Sequence, residues 1–189
     1  MKIELSKADL AKVNLMLGGV KNGAPKVLTR SINKTLTGVR STTKKEIVKH
    51  YNLTQKRVDK NLTTNKATWS KLSGSVVAKG KPLGLLSFSG TKQTKKGVTG
   101  KILKEKSRRF LIKSAFITRA GIVRKKSGEK PRGVFRRAGK KRYPIHRLTG
   151  PRIEDEFAKP RTYNAVTDYA QNRITKQMGH ELDFELSKL

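Results

Sequence analysis

The chain has 189 residues and carries 45 Lys and Arg against 13 Asp and Glu, a formal net charge of +32 at pH 7. That imbalance sets it apart from an average cytosolic enzyme, and the absence of cysteine excludes disulfides, thiolate catalysis and cysteine-based zinc sites. Hydrophobic residues make up 34% of the chain, so the length suits one domain with its core concentrated in a few elements and basic loops around them.

In chain order, Ser6 and Asp9 form a capping arrangement for a first helix over residues 6–20, in which Leu10, Val13, Leu17 and Val20 recur at helical spacing. Pro25 suits the first turn of a second helix, because its missing N–H is one that a helix start leaves unpaired anyway. Leu28, Ile32, Leu36, Val39, Thr43 and Ile47 then advance by threes and fours, forming one stripe on one long helix. Thr54 caps a short third helix that runs to about Lys60.

The pattern then changes to extended runs. Residues 72–78, 83–88, 98–103, 110–117, 134–137 and 144–148 are short and rich in branched or aromatic side chains, and they predict a meandering antiparallel sheet. Between them, 89–97 and 119–133 are rich in Gly, Ser and Lys and read as long mobile basic loops. Thr149, Gly150 and Pro151 mark a turn, and Pro160 precedes a last helix. Its Val166, Ala170, Ile174, Met178, Leu182, Leu186 and Leu189 line one apolar face, available to the sheet or to a neighbouring subunit.

The fold class expected is therefore α+β: an antiparallel β-sheet packed by N-terminal helices and a long C-terminal helix, with mobile basic loops. Within one domain overall, residues 1–60 form a helical region, 61–153 a basic sheet region and 154–189 the C-terminal helix. No apolar stretch approaches the ~20 residues that cross a bilayer, and MKIELSKADL lacks a signal peptide's apolar run. The expected setting is a cytoplasm-like compartment, with no membrane partner.

Charge is unevenly distributed. Residues 60–152 hold 27 basic and 2 acidic side chains, whereas 153–189 hold 5 basic and 7 acidic. Such a polycation repels itself and is more stable where a polyanion or an acidic surface neutralises it. The partner expected is nucleic acid or an acidic protein neighbour.

Catalytic constellations are not found in the sequence. His50, His146 and His180 are far apart and outside any HExxH spacing, and His180-Glu181 reads as a surface pair. No G-x-S-x-G elbow, P-loop or GxGxxG occurs, and the one acidic cluster, Glu154-Asp155-Glu156, falls short of the converging carboxylates of a metal nuclease. No enzyme, metal or cofactor is expected. No helix-turn-helix pair or base-stacking aromatic motif is recognisable either, which leaves backbone electrostatics independent of base sequence.

A family resemblance sharpens the expectation. Residues 32–63 (INKTLTGVRSTTKKEIVKHYNLTQKRVDKNLT), PLGLLSF at 82–88, GVTGKILKEKSRRFLIKSAFI at 97–117, GVFRR at 133–137 and YPIHRLTGPRI at 143–153 follow in an order that resembles the minor tail protein Z family, the tail completion proteins of tailed bacteriophages. The resemblance covers roughly residues 25–189, and the chain departs from it in being unusually basic over 119–142.

It implies a structural virion protein at the head-proximal end of the tail, present in the host cytoplasm during assembly. The implied assembly is a homo-oligomeric ring, hexameric if it follows tail symmetry, that meets tail terminator, tail tube and neck or connector proteins and supports head-tail joining and DNA passage. The alternative, carried by charge alone, is a sequence-independent nucleic-acid-binding protein of ribosome-associated or chromatin-like type. The side chains expected to meet genomic DNA or an acidic partner are Lys92, Lys95, Lys96, Arg124, Lys125, Lys126, Arg136, Arg137, Lys140, Lys141 and Arg142, which lie on or beside the basic loops without an acidic neighbour in sequence.

Overall fold

A computed structural model describes residues 1–4, 11, 13, 15–18, 23–105, 109–119 and 132–188. The strands are β1 (Lys2–Glu4), β2 (Leu62–Asn65), β3 (Ser73–Ala78), β4 (Lys92–Thr94), β5 (Gly97–Gly100), β6 (Phe110–Lys113), β7 (Ala115–Arg119), β8 (Arg132–Arg137) and β9 (Ile145–Arg147). The helices are α1 (Gly23–His50), α2 (Gln55–Asp59), α3 (Ile153–Phe157) and α4 (Pro160–Leu186), and a 3-10 turn spans Leu85–Ser87. The α+β class read from the sequence holds. Of the helix expected over 6–20, Ala11, Val13, Leu15 and Met16 are helical, and the rest falls largely outside the described residues.

The chain forms two compact units: the first from Met1–Glu46, Leu62–Lys79 and Phe157–Leu189, the second from Ile47–Asn61 and Gly80–Glu156. In the first, α1 and α4 lie antiparallel, so that Lys26 and Arg30 near the start of α1 meet Glu185 near the end of α4. The predicted α1 stripe is buried throughout: Leu28, Ile32, Leu36, Val39, Thr43 and Ile47 are at most 1% exposed. Ser31 and Thr35 are buried beside it, because α1 packs on two sides. Ser31 Oγ bonds the Gln177 carbonyl of α4 at 3.3 Å, while Leu36 packs against Gly74 of the antiparallel sheet β1-β3-β2. Gly74 permits that approach, since a Cβ there would press into Leu36 Cδ1 and stand 3.0 Å from the Asn65 carbonyl oxygen.

The His180-Glu181 surface pair is corrected. His180 is exposed, but Glu181 is 2% exposed and pairs with Lys34 and, at 4.0 Å, with Arg30 of α1. Steps of four on a 3.6-residue turn let the apolar stripe of α4 drift, which brings Glu181 and Glu185 onto the α1 side in the last turns. Val166 and Ala170 are buried, Ile174, Met178 and Leu182 half-buried, and Leu186 is exposed.

The single meandering sheet is also corrected: the described residues form three three-stranded antiparallel sheets, β1-β3-β2, β4-β5-β6 and β7-β8-β9. The run 110–117 divides at Ser114, whose φ of 59° lies in the left-handed region, so that its two halves join different sheets. Residues 83–88 form no strand. Ser87 and Phe88 donate to the carbonyls three residues back, at 2.8 and 3.2 Å, closing a 3-10 turn that buries Leu85 and Phe88.

The expected mobile loop at 89–97 is a third correction. Ser89 N–H bonds the Asn52 carbonyl at 2.9 Å, the Arg109 guanidinium holds the Gly90 carbonyl, and Lys92–Thr94 pairs with β5 as an edge strand. Gly97, at φ 140°, closes the hairpin where any side chain would be strained and would strike the Ile112 carbonyl. Of the second expected loop, residues 120–131 lie outside the described residues.

Candidate polyanion interface

The second unit holds 27 basic against 6 acidic residues, a net of +21, where the first holds 18 against 7, a net of +11. One of its apolar clusters lies between its strands. Leu85, Val98, Ala115 and Val134 are buried together, with Phe110, Ile112, Ile117 and Leu148 packed around them. The two sheets of this unit are joined by the Gln93 side chain. Its Oε1 accepts the Ile117 N–H at 2.7 Å and its Nε2 donates to the Ala115 carbonyl at 3.4 Å. A polar side chain thus serves as a strand partner between β4 and β7.

Alternation along β7, β8 and β9 decides what the other face of the sheet displays. Ala115, Ile117 and Val134 point to the core, so Phe116, Phe135, Arg137 and Arg147 share the opposite face by register. Phe116 and Phe135 are direct partners with ring centroids 6.5 Å apart, and the Arg137 guanidinium sits 5.6 Å above the Phe116 ring. Arg147 lies across Gly133, where a Cβ would stand 3.3 Å from its Nε. Phe116 also lines an open concavity of about 730 Å³ together with Leu86, Lys92, Gln93 and Arg132.

Arg137 and Arg142 share a mode of support, Arg142 lying 5.8 Å over the Tyr143 ring. An aromatic face orients a guanidinium without occupying its N–H donors, so the fork stays available to an incoming anion. The connection that carries Arg142 is closed at its base by the Ala138 N–H to the Pro144 carbonyl at 3.1 Å, and it displays Lys140, Lys141 and Arg142, all exposed.

The predicted contacts therefore fall in several places. Lys92 lines the concavity together with Phe116, and Arg137 lies over the ring of that same Phe116. Lys95 and Lys96 stand exposed at the β4–β5 turn, and Arg136 is exposed on the face of β8 opposite Arg137. Arg124, Lys125 and Lys126 lie outside the described residues. Phe116, Phe135, Arg132 and Arg147 were not singled out from sequence; the period-two pattern of GVFRR and SAFI was the signal that could have placed the two phenylalanines and Arg137 on one face.

Among the described residues no group of three or more His, Asp or Glu is arranged to hold a metal ion, and no helix is long and apolar enough to cross a membrane. His50 pairs with Glu105, and in the acidic cluster Glu154 and Asp155 are exposed while Glu156 is buried.

The class of protein is that of the structural components of bacteriophage tails. The model of the prophage minor tail protein Z (GPZ) family matches residues 12–189, nearly the whole chain, and the chain belongs to that family. It is a phage minor tail protein whose place is the virion, which sets aside the ribosome-associated or chromatin-like alternative. No curated protein and no solved structure matches the chain.

Proposed function

We propose that this minor tail protein completes the head-proximal end of the tail as a ring, hexameric in step with tail symmetry, and supports head-tail joining and passage of the genome. It acts by binding, with no catalytic step and no cofactor. Its neighbours in this reading are further copies of itself, the tail terminator, the tail tube and the neck or connector proteins, with genomic DNA in the lumen.

The observation that carries the reading is the set of cations on the second unit that have no carboxylate partner among the described residues: Lys92, Lys95, Lys96, Arg136, Arg137, Lys140, Lys141 and Arg142. A ring of copies keeps the ratio of 45 basic to 13 acidic residues, so self-assembly multiplies this charge and never neutralises it. A foreign polyanion or acidic neighbour has to do so. Passage of DNA calls for contacts that are numerous, independent of base sequence and readily exchanged, and surface lysines and arginines meet that requirement through phosphate contacts.

Reconstruction of the intact neck tests this directly. The expected result is a ring of this chain at the head-proximal end of the tail, with those side chains, and Arg124, Lys125 and Lys126, facing DNA or carboxylates. Density for the chain elsewhere in the particle would overturn the placement.

A further inference from the structure

The chain has one tryptophan, and the first unit displays it. Trp69 is 59% exposed, in the connection between β2 and β3. That connection is pinned on both sides. The Asn33 side-chain amide on α1 holds Ala67 at both backbone groups, accepting its N–H at 2.9 Å and donating to its carbonyl at 3.1 Å. Thr68 and Lys71 exchange two backbone hydrogen bonds of 3.0 and 3.1 Å, which leaves Trp69 and Ser70 at the corner of a tight turn.

One exposed apolar side chain on its own needs no explanation. Here the turn is held rigid, so burying the indole against a partner costs little ordering entropy, and tryptophan is among the residues most often found as interface anchors. Lys66 and Lys71 flank it, both exposed and without a side-chain partner among the described residues. They also line, with Asn65, Ser73 and Ser75, a concavity of about 370 Å³ that has no carboxylate on its walls. The lysine pair selects a negatively charged surface.

Nucleic acid fits less well. A stacking platform for bases needs further aromatic rings or guanidinium forks beside the indole, and none of the ring or cation–π contacts among the described residues involves Trp69. A second copy of this chain fits less well too, since its acids are outnumbered 13 to 45, Glu181 and Glu185 are committed to α1, and the exposed Glu154 and Asp155 follow closely on the exposed Arg152.

We infer that the Trp69 turn is the anchor by which the first unit docks onto an acidic surface of a different tail protein, the indole filling an apolar recess and Lys66 and Lys71 pairing with carboxylates around it. This rests on the reading of the chain as an assembled tail component.

Hydroxyl-radical oxidation of Trp69, read by mass spectrometry, tests it in three samples: the isolated chain across its oligomeric range, the chain with duplex DNA, and the chain joined to tails assembled from the remaining components. Oxidation is expected to slow several-fold in the tail-bound sample alone. Trp69→Ala should lower incorporation into tails by about tenfold or more, with Trp69→Phe recovering most of it, and Lys66→Glu with Lys71→Glu should lower it most at low salt. Unchanged Trp69 oxidation in a chain that has joined tails overturns the docking and leaves tail membership intact. Protection by DNA, or in the isolated oligomer, overturns it by assigning the turn another occupant. A chain that joins no tail overturns the underlying reading as well.

Discussion

Arg30 and Glu185, 155 positions apart in sequence, meet at 2.6 Å across the α1–α4 contact. The carboxylate is only 4% exposed, and Lys26 at 3.2 Å and Lys188 at 3.3 Å share it with the guanidinium. One turn back, Glu181 is held by Lys34 and Arg30. Two of the few acidic side chains of this cationic protein are thus spent on fastening its two long helices.

Acidification should loosen that fastening. Burial by itself pushes the Glu185 carboxyl up, but hydrogen bonds from Lys26 and Lys188 and the charges of both outweigh it, so its pKa lies below the ordinary carboxylate value. For a depressed pKa, the stabilisation is fully present above the unfolded-state value and is lost as pH falls through the folded-state value. Thermal melts are expected to drop on titration from about pH 6 to about pH 3, and Glu185→Gln should flatten that drop. Parallel profiles for the two proteins would show that Glu185 does not couple stability to pH.

Glu181→Ala is expected to destabilise the fold by about 1–3 kcal/mol, a limited cost because Arg30 keeps Glu185 and the half-exposed Lys34 regains water once the carboxylate is gone. Urea denaturation at neutral pH measures it, and a loss within error of zero would mean that the buried pairing contributes nothing net.

Leu36 and Gly74 should behave as a coupled pair. Leu36→Ala leaves a cavity and costs about 2–5 kcal/mol, while Gly74→Ala overpacks the same contact and costs about 1–3 kcal/mol. In the double variant the new methyl occupies part of the vacated space, so the combined cost should fall below the sum. Strict additivity in denaturation experiments would contradict the close approach of α1 to β3.

Gln93→Ala removes the side chain that bridges β4 and β7. A loss of about 1–2 kcal/mol is expected, with faster hydrogen exchange at the Ile117 amide, whose acceptor is Gln93 Oε1. Unaltered exchange at that amide would refute the bridge.

The cationic array predicts a particular salt dependence. Replacing Arg136, Arg137, Lys140, Lys141 and Arg142 by Gln should make the slope of log K for duplex DNA against log salt shallower by about 0.9 for each phosphate that is no longer neutralised, without base preference. Melting should change little, since all five side chains are exposed. An unchanged slope would remove these side chains from the DNA-facing surface.

Much of the helical part was legible. The α1 stripe from Leu28 to Ile47 was readable because 3.6-residue periodicity is a local property, and Thr54 does cap α2, its side chain accepting the Arg57 N–H. Strands β3 and β5 to β9 overlap runs read as extended, but β1, β2 and β4 do not: they are three or four residues long and largely polar, so only pairing with a neighbour makes them strands. Short apolar runs such as 83–88 suit a strand and a 3-10 turn equally, and a single left-handed residue at Ser114 sends two halves of one run into different sheets. Of the candidate contacts, the exposed cations were legible from composition, whereas the rings that hold Arg137 and Arg142 were visible only once Phe116 and Tyr143 had been placed.

The amino-acid sequence on its own determined the charge, the absence of thiol chemistry, the α+β class and membership of the minor tail protein Z family, because these depend on residue type, local spacing and segment order. The tertiary structure alone decided that Glu181 and Glu185 face α1, that the described strands divide among three sheets, that Gln93 stands in for a strand partner, and that the sole tryptophan rides a pinned turn. Each of those depends on which distant segment packs against the residue, from 24 positions away for Gln93 and Ile117 to 155 for Arg30 and Glu185, and local periodicity carries no information about such a partner.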